Sequence, residues 1–310
     1  MANSPTALIK VARPIHWIKN LSLFAALIFT SNLLNETLIA KVIWAFIAFN
    51  LATSATYIFN DIVDVKMDRL HPSKKNRPIA SGKLGIPLAF FESGILALLA
   101  IYLASKLHPL FYLSLIAYLI MQILYSLFLK NMSTIDIVII AMGFVIRVYA
   151  GAFVIDAHLS VWFLLCVISV ALFLASGKRR AELNIIEESQ VTTRKSLSHY
   201  QKELLNSYVT MFGNAAWMSW ALFAFFESPK ASLNVWLVLA ELSRTTTIDK
   251  FLMATIPVAI FGIMRYESLI FEGKSEAPEK ILLTDKSLIV SILVWLSIVL
   301  WVFYKGAAPF

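Results

Sequence analysis

Hydrophobic positions in this chain are gathered into stretches long enough to cross about 30 Å of hydrocarbon as helices of roughly 20 residues. Such stretches are read at 21–35, 38–59, 86–105, 109–129, 133–155, 158–177, 205–227, 250–271 and 287–305. The first is short, and the eighth is interrupted by Pro257 and carries Arg265. The pattern predicts an all-α membrane protein of about nine transmembrane helices. No Gly/Ser linker, charge block or low-complexity region divides it, so residues 1–310 are expected to form one helical domain. Two polar segments, 60–85 and 178–203, are long and densely charged, and each follows an even-numbered span. Their spacing suggests a weak internal repeat in which equivalent loops face each other across a central cavity.

Composition and charge sharpen this picture. The chain is 59% hydrophobic and 15% charged, with 22 Phe and 8 Trp, far from the balance of a water-soluble domain. Lys and Arg accumulate near span ends on the cytoplasmic side. With the N-terminus inside, 20 of the 27 Lys and Arg fall on that side. Lys41, Lys106, Lys230, Arg244, Lys250 and Lys305 fall on the other, and Arg147 lies within a span. The expected topology is therefore an inner (cytoplasmic) membrane protein with its N-terminus in the cytoplasm and its C-terminus outside. The cavity opens to the cytoplasm. The net charge of +8 follows largely from that topology and does not point to nucleic acid. Any surplus favours anionic lipid or a phosphorylated substrate. Cys166 is the single cysteine, so no internal disulfide forms, and a buried inert thiol is expected. The first hydrophobic run has a basic preface but no small-residue cleavage pattern, which makes it a retained helix.

The chemistry concentrates after the second span, at Asn60-Asp61-Ile62-Val63-Asp64-Val65-Lys66-Met67-Asp68. On a helix, positions i, i+3 and i+7 fall within about a 60° arc and extend about 10 Å along the axis. Three like charges on one face repel unless a cation sits among them. A sparse carboxylate row suits Mg²⁺ bridged to a diphosphate, with Asn60 as a neighbouring amide. The bland alternative is a solvated helix end partly neutralised by Lys66 and Arg69. His71-Pro72 stops the helix, and the following Lys74, Lys75 and Arg77 are placed to fold back over bound phosphates.

Asn60-Asp61-x-x-Asp64-x-x-x-Asp68 with Arg69, His71-Pro72 and Arg77-Pro78-Ile79-Ala80-x-Gly82 resembles the first aspartate-rich motif of the UbiA superfamily of intramembrane prenyltransferases. Arg13-Pro14-x-x-Trp17-x-Lys19-Asn20 and Tyr125-Ser126-x-x-Leu129-Lys130 are similar to two further elements of that superfamily. The resemblance implies helices around a central cavity, Asp61, Asp64 and Asp68 as metal ligands for Mg²⁺, and departure of diphosphate from a carbon electrophile.

One departure redirects the expectation. Where aromatic prenyltransferases of the superfamily carry a second aspartate-rich motif, this chain reads Ser176-Gly177-Lys178-Arg179-Arg180-Ala181-Glu182-Leu183. Basic groups there favour an anionic ligand over a second metal cluster; a positive-inside anchor is the other reading. Lys-Arg-x-x-Glu-Leu, the segment 277–286 and Arg265-Tyr266 resemble the branch that transfers phosphoribose to decaprenyl phosphate. That branch implies 5-phosphoribosyl diphosphate as donor, a polyprenyl phosphate as acceptor and a place in building cell-envelope arabinose precursors. Lys130, Lys178, Arg179 and Arg147 become candidates for the sugar or lipid phosphate, Arg77 a loop clamp, and Lys19 and Asn20 weaker lipid-phosphate ligands. Tyr125 lines the cavity or sits at the interface. Glu182 either bonds ribose hydroxyls or orients Lys178. Arg147, costly in hydrocarbon, pairs with Asp136 or Asp156 or faces the cavity as a phosphate ligand. Two rivals stand: prenyl transfer to an aromatic acceptor, and a cation-coupled transporter. Nothing in the pattern specifies an oligomeric state or the lateral opening a lipid tail needs.

Overall fold

A computed structural model of the chain describes residues 5–71, 74–189, 200–228, 250–272 and 284–306. Pro72, Arg194, Lys195, Lys230, Arg244, Lys274, Lys280 and most of the segment 277–286 lie outside the described residues.

The described chain is helical throughout. After a short α1 (Pro5–Val11), α2 runs over Pro14–Phe29, wound as a 3₁₀-helix from Pro14 to Phe24 and as α from Ala25. Next come α3 (Glu36–Val63), α4 (Val65–Leu70), α5 (Ile86–Ser105), α6 (Pro109–Leu127) and α7 (Ile135–Val154). The second half holds α8 (Val161–Ser189), α9 (Lys202–Phe226), α10 (Phe251–Phe271) and α11 (Lys286–Trp301), which continues into a π turn. Among the described residues 8 helices are long and apolar enough to cross a membrane, and α2 is a shorter apolar helix. Residues such as Phe90, Phe91, Leu98, Leu113 and Ile120 point outward, as expected where the surrounding solvent is lipid.

Three boundaries differ from the hydrophobic pattern, each for a local reason. Where a first span is expected at 21–35, the structure has the shorter apolar helix Pro14–Phe29. Pro14 suits a first helical turn, and Ser31, at φ 57, ends the segment. The 3₁₀ winding matters: eleven residues at about 2.0 Å and five at about 1.5 Å reach roughly 30 Å. The apolar Leu33 and Leu34 belong instead to the turn before α3, whose cap is Asn35, accepting from the Thr37 and Leu38 amides. The polar stretch from 178 is helix as far as Ser189 rather than loop, because Lys, Arg, Ala, Glu and Leu are all good helix formers. Pro257 does not break α10, since it falls in the first turn of its α portion, after the 3₁₀ turn Phe251–Thr255.

Small residues set the closest packings. Ala45, Ala48, Ala52 and Ala55 make one stripe on α3, which packs along α5 with its buried Ala89, Ala100 and Ala104. A second close approach joins α7 to α2: a Cβ built on Gly151 would lie 2.1 Å from the Leu23 carbonyl oxygen. Backbone cannot give way as a side chain does. Gly151→Ala is therefore expected to lower stability by about 1–3 kcal/mol or more, read as a lowered unfolding midpoint in detergent.

Candidate active site

The site is built where the ends of several helices meet at one end of the bundle. Asn60, Asp64 and Asp68 at the end of α3 and in α4, Arg13, His16 and Lys19 at the start of α2, Tyr125 near the end of α6 and Lys130 just after it, and Lys178 and Glu182 on α8 all line one cavity of about 630 Å³. The middle of α7 forms its floor through Ile140, Gly143, Phe144 and Arg147. The two charged segments therefore face a single space.

The carboxylate row keeps its helical register across the α3–α4 junction, because the Asp64 amide donates to the Asn60 carbonyl and the Asp68 amide to the Asp64 carbonyl, both at 2.9 Å. Each acid has a basic partner. Asp61 pairs with Arg13 and, at 3.1 Å, with Arg77. Asp68 pairs with Arg77 at 2.6 Å, and Asp64 pairs with Lys130. Arg77 reaches back onto the carboxylate row: the turn through Pro78–Gly82 buries Ile79 and Leu84 against Ile58 and Ala89, and Arg69 Nε donates to the Ala80 carbonyl at 3.2 Å. Gly82, at φ 75, supplies the left-handed residue that this turn requires. Burial pushes the Asp68 carboxyl above the usual range even though Arg77 pulls it down. For Arg13 burial acts to weaken the base, and Asp61 more than reverses that.

Asp64 and Asp68 line the cavity, whereas Asp61 is buried behind Arg13 and Arg77 and does not. Among the described residues no three His, Cys, Asp or Glu side chains converge as a preformed metal cage. Mg²⁺ needs none, since it keeps several waters and takes one or two carboxylates together with substrate phosphates. Two buried acceptors, Asn60 Oδ1 and Asp61 Oδ2, receive no hydrogen bond among the described residues. Asn60 Oδ1 with the carboxylates of Asp64 and Asp68 offers the hard oxygen donors that suit Mg²⁺, while Asp61 stands outside the cavity lining.

Arg147 is the buried cation of the floor. Its Nε donates to Asn20 Oδ1 at 2.6 Å, Nη1 to the Gly143 carbonyl at 2.6 Å and Nη2 to Tyr118 at 3.0 Å. Neither suggested acid reaches it: Asp136 pairs with Arg179 and Asp156 with His108. That removes the pairing alternative and leaves a cavity-facing cation held by neutral groups. Asn20 is fully buried, donates to Asn50 at 2.7 Å and Thr53 at 3.2 Å, and does not line the cavity. The structure places it as the support of Arg147 rather than as a lipid-phosphate ligand; Lys19, next to it, does line the cavity.

Arg179 is likewise not where the pattern put it. It is fully buried, outside the cavity lining, with Nε 2.6 Å from Asp136 Oδ2, Nη2 donating to Tyr125 at 2.6 Å and Nη1 to Glu182. Asp136 is held in turn by Tyr200 at 2.7 Å. Lys178, Glu182 and Tyr125 line the cavity; Arg179 stands behind two of them. Burial and the neighbouring Asp136 both push the Tyr200 hydroxyl above its ordinary range, so it stays a proton donor.

Two side-chain features and one cavity are not read from the sequence. Arg13 lines the cavity over the Tyr57 ring at 5.1 Å; its placement directly before a proline at the membrane boundary was the available signal. Tyr118, Gln122 and Ser126 join the expected Tyr125 in a polar stripe on α6 that enters the same space, visible as polar residues at i, i+4 and i+7 in an apolar run. The cavity is apolar, about 390 Å³, and lies between α2, α7, α8, α9, α10 and α11. Phe144 lines both cavities, so the two adjoin there.

A profile of the UbiA prenyltransferase family matches residues 21–243. The chain is 35% identical over 303 residues to the decaprenyl-phosphate phosphoribosyltransferase of Mycolicibacterium smegmatis, covering 95% of this chain and 91% of that one. It is 33% identical over 308 residues to the enzyme of the same name from Corynebacterium glutamicum, covering 97% and 88%. Its fold is similar, at TM-score 0.68 and 16% identity over 96% of this chain and 99% of the other, to a UbiA homolog from Archaeoglobus fulgidus bound to DMAPP and Mg2+. The family profile and the near full-length relatives, together with an all-helical bundle around a cavity walled by Asp64 and Asp68, place this chain in the UbiA prenyltransferase family.

Proposed function

We propose that this enzyme transfers 5-phosphoribose from 5-phosphoribosyl diphosphate to a polyprenyl phosphate of the decaprenyl type, releasing diphosphate at the cytoplasmic face. The observation that carries it is the charge of the cavity: Arg13, Lys19, Lys74, Arg77, Lys130, Arg147 and Lys178 line it against Asp64, Asp68 and Glu182. A phosphate monoester carries about −1.5 to −2 near neutrality, so a phosphosugar diphosphate meeting a lipid phosphate calls for such an excess. A prenyl diphosphate with an aromatic acid, which brings one diphosphate and a single carboxylate, calls for less.

Asp64 and Asp68, with Asn60, would hold Mg²⁺, and Asp61 behind them would fix Arg13 and Arg77. Bound there, it supplies neutralisation of the charge that develops on the departing diphosphate. Lys130, already beside Asp64, and Arg77, already beside Asp68, are positioned to take phosphate oxygens. Lys178, Lys19 and Arg147 are then the candidates for the sugar 5-phosphate and the lipid phosphate. An oxygen of the lipid phosphate forms its bond to the anomeric carbon as that carbon's bond to the diphosphate oxygen breaks, and the diphosphate leaves with the electron pair. The acceptor oxygen is already anionic, so the chain need not supply a base. Charge on the carbon passes through an oxocarbenium-like state.

The adjoining apolar cavity fits the start of the isoprenoid tail, with Phe144 at the threshold and Phe29, Phe163, Trp220 and Trp295 among its walls. Ala259→Trp, which fills part of it, is expected to raise KM for a long polyprenyl phosphate on the order of tenfold while leaving KM for the donor unchanged. Steady-state kinetics with each substrate varied in turn checks this.

The reaction itself is tested with purified protein, Mg²⁺, polyprenyl phosphate and radiolabelled 5-phosphoribosyl diphosphate. A labelled, lipid-extractable product is expected. No such product, alongside turnover of a prenyl diphosphate with an aromatic acid, would reverse the proposal.

A further inference from the structure

Glu182 is out of place in a cavity built for phosphates. Its carboxylate lines a space in which basic groups outnumber acids, where any nearby phosphate oxygen would repel it. Neutralising Arg179 does not by itself explain it. Its partner Arg179 is already balanced by Asp136, which is also fully buried and lies 2.6 Å from Arg179 Nε. A second acid is not required for neutrality, and a buried 1:1 pair is the cheaper arrangement. Glu182 is nevertheless held in place: Arg179 Nη1 grips one of its oxygens while Arg179 Nη2 fixes the Tyr125 hydroxyl at 2.6 Å, and both partners face the cavity. Tyr200 locks the far end through Asp136 at 2.7 Å. A carboxylate set rigidly among cations, opposite the aspartate row, suits a ligand that presents hydrogen-bond donors between its phosphates.

From this we infer that Glu182 selects the donor, accepting hydrogen bonds from the vicinal hydroxyls of its sugar, and that Arg179 is a positioning residue that aims Glu182 and Tyr125 at them. The inference rests on the proposed phosphoribosyl transfer. Within that donor the ribose hydroxyls are the only strong hydrogen-bond donors, since the phosphates are acceptors. A prenyl diphosphate has none to offer. Rejection of such a donor then has two sources: the lost pair of bonds, and a buried charge left facing an apolar chain.

The test compares the wild type with Glu182→Gln and Glu182→Ala, using 5-phosphoribosyl diphosphate and its 2-deoxyribose analogue in the presence of Mg²⁺ and polyprenyl phosphate. In the wild type the analogue is expected to lose about tenfold or more in kcat/KM, the worth of a hydrogen bond to a charged group. In Glu182→Ala the natural donor loses at least a similar factor, carried by KM, and the analogue loses less than the natural donor does, because its 2-hydroxyl contact is already gone and only the 3-hydroxyl contact remains to be removed. Inhibition by inorganic diphosphate stays the same in all three proteins, which shows that the aspartate wall and the fold are intact. Arg179→Lys, keeping the charge but not the fork, is expected to fall between wild type and Glu182→Ala and to be likewise worse for the natural donor than for the analogue. Wild-type turnover with an unmoved donor KM in the Glu182 variants overturns this inference alone, as do additive losses. Wild-type protein that makes no lipid-linked pentose overturns the proposed reaction, and this inference with it.

Discussion

Replacing Asp64 by Asn is expected to reduce turnover on the order of a thousandfold while leaving the bundle folded. The size follows from the loss of a carboxylate that faces the cavity and would help hold the ion that offsets charge on the leaving diphosphate, an effect worth several kcal/mol. Stability is spared for a local reason. Asp64 sits at the α3–α4 junction with its amide bonded to the Asn60 carbonyl, and Asn60 Nδ2 donates to the Asp64 side chain at 3.1 Å. An amide of the same shape keeps an acceptor for that bond and loses only the pairing with Lys130. Turnover and the unfolding midpoint, measured on the same preparation, separate the two effects. Retained turnover would remove the metal role from this residue, and a collapsed midpoint would make the aspartate structural.

Arg147→Met is expected to lower kcat/KM by about a hundredfold, the upper range for losing hydrogen bonds from a charged group to a bound phosphate. It has no carboxylate partner among the described residues, so its charge is offset by the polar atoms of Asn20, Gly143 and Tyr118 and by the Tyr118 ring at 4.8 Å. Removing the charge takes one donor each from Asn20 Oδ1, the Gly143 carbonyl and Tyr118, although Thr53 still donates to Asn20 Oδ1 at 3.4 Å; this costs about 1–3 kcal/mol, and taking an ion out of a buried site offsets part of it. The net stability change is therefore small against the kinetic one. Arg147→Lys keeps the charge but cannot reach three acceptors at once, so partial recovery of activity is the expected result. Equal losses for Met and Lys, with a lowered unfolding midpoint, would make Arg147 a scaffold element.

How far the sequence could be read depended on the range of the interaction. The carboxylate row was legible because i, i+3 and i+7 positions share a face on any helix, and hydrogen bonding across the α3–α4 junction preserved that face. Arg77 folding back was legible because Pro and Gly bracket a tight turn after it. Arg179 was misjudged as a ligand though its neighbours were not: one residue is about 100° on a helix, so Lys178 and Glu182 face the cavity while Arg179 points at α7. Its pairing with Asp136 depends on how α7 packs on α8, which no local pattern encodes. The same holds for Asn20, whose role is set by Arg147, distant in the chain, and for the apolar cavity, which exists only once six helices are assembled. The first span was displaced because its 3₁₀ winding lets fewer residues cover the same depth.

The central claim is that one ligand is gripped by both walls of one cavity. A structure of the protein with 5-phosphoribosyl diphosphate and Mg²⁺ tests it most directly. The account predicts density with the diphosphate at Asp64 and Asp68 and the sugar-phosphate end at the opposite wall, among Lys178, Glu182 and Arg147. A donor held by the aspartate wall alone, or bound outside the space that these residues share, would contradict it.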